Sequence, residues 1–91
     1  MTKCVKIMCT LHVSEELLEI VSMAARKFFI EGALHLIPPD GLKIVACGTK
    51  ERIESFVDIL YKEAAKKKPF VIEVEPFIKD KDYRGVFRII Q

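Results

Sequence analysis

The 91-residue chain holds no cysteine pair spaced as CxxC or CxxxC, and its three cysteines, Cys4, Cys9 and Cys47, are an odd number lying inside apolar runs. That pattern offers no disulfide framework and no structural zinc motif, and it is the usage expected of a reducing compartment. Strong charge of one sign is lacking as well. Fifteen basic and 13 acidic side chains leave a formal net charge of +2, too little to build a field for nucleic acid or a membrane surface. No apolar run approaches the ~18–20 residues that a membrane span needs. After Thr2-Lys3 the chain enters an alternating strand directly, without the apolar stretch of a signal peptide, so the expected setting is soluble and cytoplasmic. Linkers, repeats and low-complexity stretches are also missing. A single domain over residues 1–91 is expected.

What the chain does have is core material: 51% of its residues are hydrophobic, six of them Phe. Lys3 to Leu11 alternates, with Val5, Ile7, Cys9 and Leu11 on one side and Lys6, Met8 and Thr10 on the other, which is a half-buried strand. Ser14 offers a helix N-cap, followed by Glu15 and Glu16 at the positive end of the helix dipole. Leu17, Val21, Ala24, Ala25 and Phe28 recur at helical spacing, with Leu18, Ile20 and Phe29 widening the stripe, so a helix is predicted from Glu15 to Phe29. Arg26 and Lys27 suit its last turn, and Glu31-Gly32 is expected to break it.

Ala33 to Ile37 reads as a short strand, and Pro38-Pro39-Asp40-Gly41 as a tight turn in which Gly41 takes the left-handed conformation. Leu42 to Cys47 returns as a strand with Leu42, Ile44 and Ala46 on one face. Thr49 caps a second helix whose apolar face is Ile53, Phe56, Val57, Leu60 and Ala64. Lys66-Lys67-Lys68 and Pro69 close it. Phe70, Ile72 and Val74 alternate with Val71, Glu73 and Glu75 in another strand. Lys79 to Asp82 belong to a solvated loop, and Val86 to Ile90 form a short last strand. The order βαββαβ with a short extra strand implies an α+β sandwich of ferredoxin-like topology, two helices on one face of an antiparallel sheet.

The turn Pro39-Asp40-Gly41, the strand after it ending at Gly48, the helix carrying Phe56 and Leu60, and the terminal Phe87-Arg88-Ile89 together resemble the acylphosphatase family, small cytoplasmic proteins with this element order. The motif likeness is specific from Ile37 to Leu60. Family members hydrolyse the carboxyl-phosphate bond of acyl phosphates. They do so with a glycine-rich loop after the first strand, an arginine that holds the phosphate, and an asparagine before the turn that positions water. Small residues let backbone N–H groups converge on phosphate, and arginine adds a bidentate charge.

Here that loop reads Leu11-His12-Val13-Ser14-Glu15-Glu16-Leu17-Leu18-Glu19, without glycine. The arginine position falls near Glu19 and the asparagine position at or beside Ile37. The resemblance thus marks His12, Ser14, Glu15, Glu16, Glu19 and Ile37 as site positions while withholding the catalytic groups. It implies a domain without the usual phosphate cradle, an interaction or regulatory module with an unidentified protein partner or with itself, and no cofactor. One alternative is an acylphosphatase with a relocated site served by Arg26, Arg52 or Arg88. Another is a small RNA- or ligand-binding domain.

Further candidates are weaker. His12 and His35 with Cys9 and Cys47 have no short metal-ligand spacing, and structural cysteines with solvent or edge histidines explain them. Tyr83-Arg84-Gly85-Val86-Phe87-Arg88-Ile89 has some likeness to the RNA-binding signature of RRM domains. It lies on the last strand, however, with no aromatic on the first, so nucleic acid is not the expected partner. Lys62 with Lys66-Lys67-Lys68 is explained by a cationic helix end. Phe29 and Ile30 are expected in the core, or as a dimerisation patch if left uncovered.

Overall fold

The computed structural model describes residues 2–66, 69–78 and 85–90. Their elements are β1 (Lys3–Thr10), α1 (Glu15–Lys27), β2 (Glu31–Ile37), β3 (Gly41–Gly48), α2 (Lys50–Ala64), β4 (Val71–Pro76) and β5 (Phe87–Ile90). The strands lie in the order β4-β1-β3-β2-β5. β1 pairs antiparallel with both β3 and β4, and β3 pairs antiparallel with β2. The short extra strand β5 joins β2 in parallel, which makes the sheet mixed where an all-antiparallel one was expected. With the chain running parallel to β2, β5 closes an edge that would otherwise expose a row of backbone groups.

The alternation fixes two faces. Val5, Ile7 and Cys9 of β1, Leu42, Ile44 and Ala46 of β3, and Leu34 of β2 are buried on the side covered by the helices. Against them pack Leu17, Leu18, Val21, Ala24 and Ala25 of α1 and Ile53, Phe56, Leu60 and Ala64 of α2. Phe56 is fully enclosed and meets Phe87 edge to face, ring centroids 6.0 Å apart at 67°, the geometry that aromatic quadrupoles favour. Both N-caps form as the sequence indicates: Ser14 Oγ accepts from Leu17 N at 3.1 Å and Thr49 Oγ1 from Arg52 N at 3.3 Å. Phe70 and Ile72 pack on the core's margin, while Val74 is 41% exposed.

The end of α1 departs from the sequence reading. The helix stops at Lys27, with Phe28 as its C-cap and Phe29 in the left-handed conformation at φ 53°. Ile30 N donates to Ala25 O at 2.8 Å and Phe29 N to Arg26 O at 3.3 Å. This is the paired hydrogen-bond pattern of a Schellman turn, where glycine normally occupies the left-handed position. Glu31-Gly32 is therefore no helix break but the start of β2. A Phe in that conformation costs roughly 1–2 kcal/mol against its Cβ. Ile30 is buried and Phe29 is 70% exposed, so the expectation of core packing holds for Ile30 alone.

Two further expectations are corrected. Gly41 does not take the left-handed conformation. Ile37 pairs with Gly41 across a turn that contains a cis Pro38–Pro39 bond, and a Cβ at Gly41 would lie 3.1 Å from Ile37 O. Space, not dihedral, asks for glycine there. The positive-φ glycines are Gly32 (150°) and Gly85 (70°). The second correction concerns the cysteines: Cys4 and Cys47 form a disulfide. They are direct partners in the β1–β3 register, and 43 positions separate them in sequence, so spacing gave no hint of the pair. The bridge removes the ground for reading a reducing compartment from the cysteine count. Among the described residues, no helix is long and apolar enough to cross a membrane.

Gly32 and Gly85 should respond very differently to a methyl group. A Cβ at Gly32 would stand 1.8 Å from Val45 O, whereas one at Gly85 would meet open space. Urea denaturation should show Gly32→Ala losing about 3 kcal/mol or more and Gly85→Ala only about 1 kcal/mol from its dihedral. Thiol counting should report one reactive thiol when the chain is unfolded without reductant, namely Cys9, and three when it is unfolded with reductant.

Candidate functional site

Between β1 and α1 the chain is held down at almost every step. Leu11 N donates to Asp40 O at 3.2 Å, tying the loop to the β2–β3 turn. The Leu11 side chain is buried and Val13 packs on the core. Ser14 spends its hydroxyl on Leu17 N, and its carbonyl accepts from Leu18 N at 3.1 Å. One of the amides that an anion would need is therefore already occupied by the protein's own cap.

Around this terminus the charge is negative. Glu15 and Glu16 stand exposed in the first turn of α1, and Glu19 is exposed one turn further on. His12 is the loop's one basic side chain. Its Nδ1 lies 3.9 Å from Asp40 Oδ1, and both side chains are more than half exposed. At that separation and exposure the pair is a weak, solvent-screened contact. Ile37 ends β2 on the helix-free face, out of phase with the core-facing Leu34 and Leu36. The structure thus brings His12 to Asp40, while Ser14 caps α1, Glu19 lies one turn along that helix, and Ile37 ends β2 opposite Gly41. Asp40 was legible in the sequence only as a turn residue, because its approach to His12 depends on the β1–β3 register.

The relocated-site arginines are far from this loop. Arg26 sits in the last turn of α1, whose 13 residues span about 20 Å. Arg52 lies in the first turn of α2, and Arg88 is on β5, opposite Ala33. Arg26 and Arg52 do come together elsewhere. With Ser22, Phe29, Glu31 and Phe87 they line a cavity of about 440 Å³ at the opposite end of the molecule. The sequence showed two arginines 26 positions apart and an apolar helix end; only the packing of α1 against α2 makes them neighbours.

The helix-free face of the sheet carries Lys6 paired with Glu75 at 2.8 Å, with Val45 and Ala33 buried between longer neighbours. His35 faces Lys43 there, and β3 separates β2 from β1, so His35 and His12 do not share a site. Phe87, the aromatic of the RRM-like stretch, points to the helices; Tyr83 and Arg84 lie outside the described residues, as do Lys79 to Asp82. Lys66 reaches Glu63 at 3.3 Å, and Lys67 and Lys68 also lie outside.

Cys9 is 4% exposed inside the core, and this burial pushes its thiol up to about 11. A thiol held neutral at physiological pH is a poor nucleophile.

The chain matches no protein-family model, and no curated protein matches it in sequence. Its likeness to known proteins is structural. It superposes on an acylphosphatase from Coxiella burnetii with a TM-score of 0.82 at 19% identity, covering 98% of this chain and 93% of that one. An acylphosphatase from Bacillus subtilis gives 0.74 at 17% identity, with both chains covered in full. HypF of T. kodakarensis gives 0.76 at 20% identity over all of this chain and 12% of that one. At these identities the likeness establishes the acylphosphatase-like, ferredoxin-like fold and nothing about activity.

The Cys9 thiol sets a pH dependence. Its folded-state value lies above the ~8.5 of an unfolded chain, so the neutral thiol is favoured in the fold. The associated stability is complete below about pH 8.5 and is lost as pH rises through about 11. Urea titrations across that window should show an alkaline decline of about 3 kcal/mol that is absent from Cys9→Ala.

Proposed function

We propose that the chain is a non-catalytic binding or regulatory module built on the acylphosphatase-like scaffold. The observation that carries this reading is the β1–α1 loop. It has no glycine, its helix amide is engaged by Ser14, and Glu15 and Glu16 stand where a phosphate would approach. Each carboxylate within ~4 Å of a phosphate charge opposes it by about 1 kcal/mol even in a water-like dielectric. Where the resemblance calls for an arginine the chain has a region ending in Glu19, and the arginines at the far end of α1 and the start of α2 line a different cavity.

The same fold occurs as 12% of the HypF chain, which fits a role as a unit acting through contacts with other protein surfaces. Incubation with benzoyl phosphate is the direct test. Hydrolysis at the rate of buffer alone is expected. Turnover comparable with that of the Bacillus subtilis or Coxiella burnetii acylphosphatase, measured side by side, would overturn the reading.

A further inference from the structure

The end of α1, the start of β2 and the first turn of α2 enclose the cavity of about 440 Å³ noted above, within the range of small-molecule sites. We propose that it binds a small organic phosphate carrying a planar ring, with Arg26 and Arg52 holding the phosphate and Phe29 stacking on the ring.

Three independent features meet there. The first is charge without a partner. Among the described residues neither Arg26 nor Arg52 makes an ion pair, and the one carboxylate lining the cavity, Glu31, accepts a hydrogen bond from Gly85 N. Lys27 and Lys50 adjoin the two arginines in sequence and Glu51 adjoins Arg52, so among these described residues cations outnumber carboxylates. Two guanidiniums facing one space suit a phosphate, whose oxygens accept paired N–H donors.

The second feature is Phe29. It occupies the left-handed position of a Schellman turn, where glycine would be free of strain, and its ring is 70% exposed. Core packing does not explain an aromatic kept there. Strained backbone held under an exposed side chain is the kind of local cost found at ligand sites. The third is pre-organisation. Arg52 already lies over the Phe29 ring, 5.1 Å from its centroid, and the ring's remaining surface is open to solvent. An incoming flat ring then meets an aromatic and a guanidinium that hold each other in place, so less freedom is lost on binding. Thr49, which caps α2 by accepting from Arg52 N, and the turn hydrogen bonds at Phe29 and Ile30 fix the backbone under both groups.

The test uses the full chain, labelled with nitrogen-15, titrated with AMP, adenosine and inorganic phosphate while amide signals are followed. AMP should shift the amides of Phe29, Arg52 and Gly85 saturably, and both fragments should bind more weakly. The double variant Arg26→Gln, Arg52→Gln should weaken AMP at least about tenfold. Phe29→Gly should weaken AMP, leave inorganic phosphate unchanged and raise Tm, because it removes the ring and the strain together; a merely structural Phe29 would change Tm alone. No saturable shift at these amides, equal affinity for AMP and inorganic phosphate, or undiminished AMP binding by the double variant would each overturn the proposal. Shifts confined to Ser14–Leu17 would overturn it too, and would point instead to the β1–α1 loop; benzoyl phosphate turnover separately decides the non-catalytic reading.

Discussion

The pairing of β1 with β3 is the constraint on which everything else in this protein rests. These two strands run antiparallel in the middle of the sheet, with Ile7 opposite Ile44 and Val5 opposite Ala46. Both pairs lie under the helices, where Val21 and Phe56 complete a layer with almost no exposure to water. Because side chains alternate with a period of two, a slip of β1 by one residue would turn Val5 and Ile7 outward and bring Lys6 in. The same register sets Cys4 against Cys47 and carries Asp40 to Leu11 and His12. One set of backbone hydrogen bonds thus fixes the core, the disulfide and the geometry of the β1–α1 loop.

The two ends of α1 have opposite chemistry. At its N-terminus the free amides meet Ser14, Glu15 and Glu16, a self-satisfied and acidic arrangement that stabilises the helix through its dipole. At its C-terminus stand Arg26 and an exposed aromatic in a strained turn. The fold's resemblance to acylphosphatases directs attention to the first end. Charge and open volume direct it to the second, where α2 begins and supplies Arg52.

Much of the architecture was legible because local signals agreed. The apolar stripes of both helices, the caps Ser14 and Thr49, and the turn around Pro39-Asp40 all appear where periodicity and turn chemistry put them. The failures are instructive. The end of α1 escapes the sequence pattern because the left-handed residue is Phe29, where a sequence rule looks for glycine. At Gly41 the turn pattern suggests a left-handed dihedral, whereas the demand on it is steric. The parallel seat of β5 beside β2 depends on where a connection of about ten residues lands, which no residue pattern within β5 encodes.

The sequence alone determined the elements, the buried face of each, and the poverty of the β1–α1 loop in phosphate-binding groups, since these follow from side-chain period, capping chemistry and charge within short windows. Only the tertiary structure decided which distant residues meet: Cys4 with Cys47, His12 with Asp40, and Arg52 with Arg26 and Phe29. Contacts of that kind are set by strand register and helix packing. Those properties belong to the assembled sheet and its two helices, not to any one stretch of the chain.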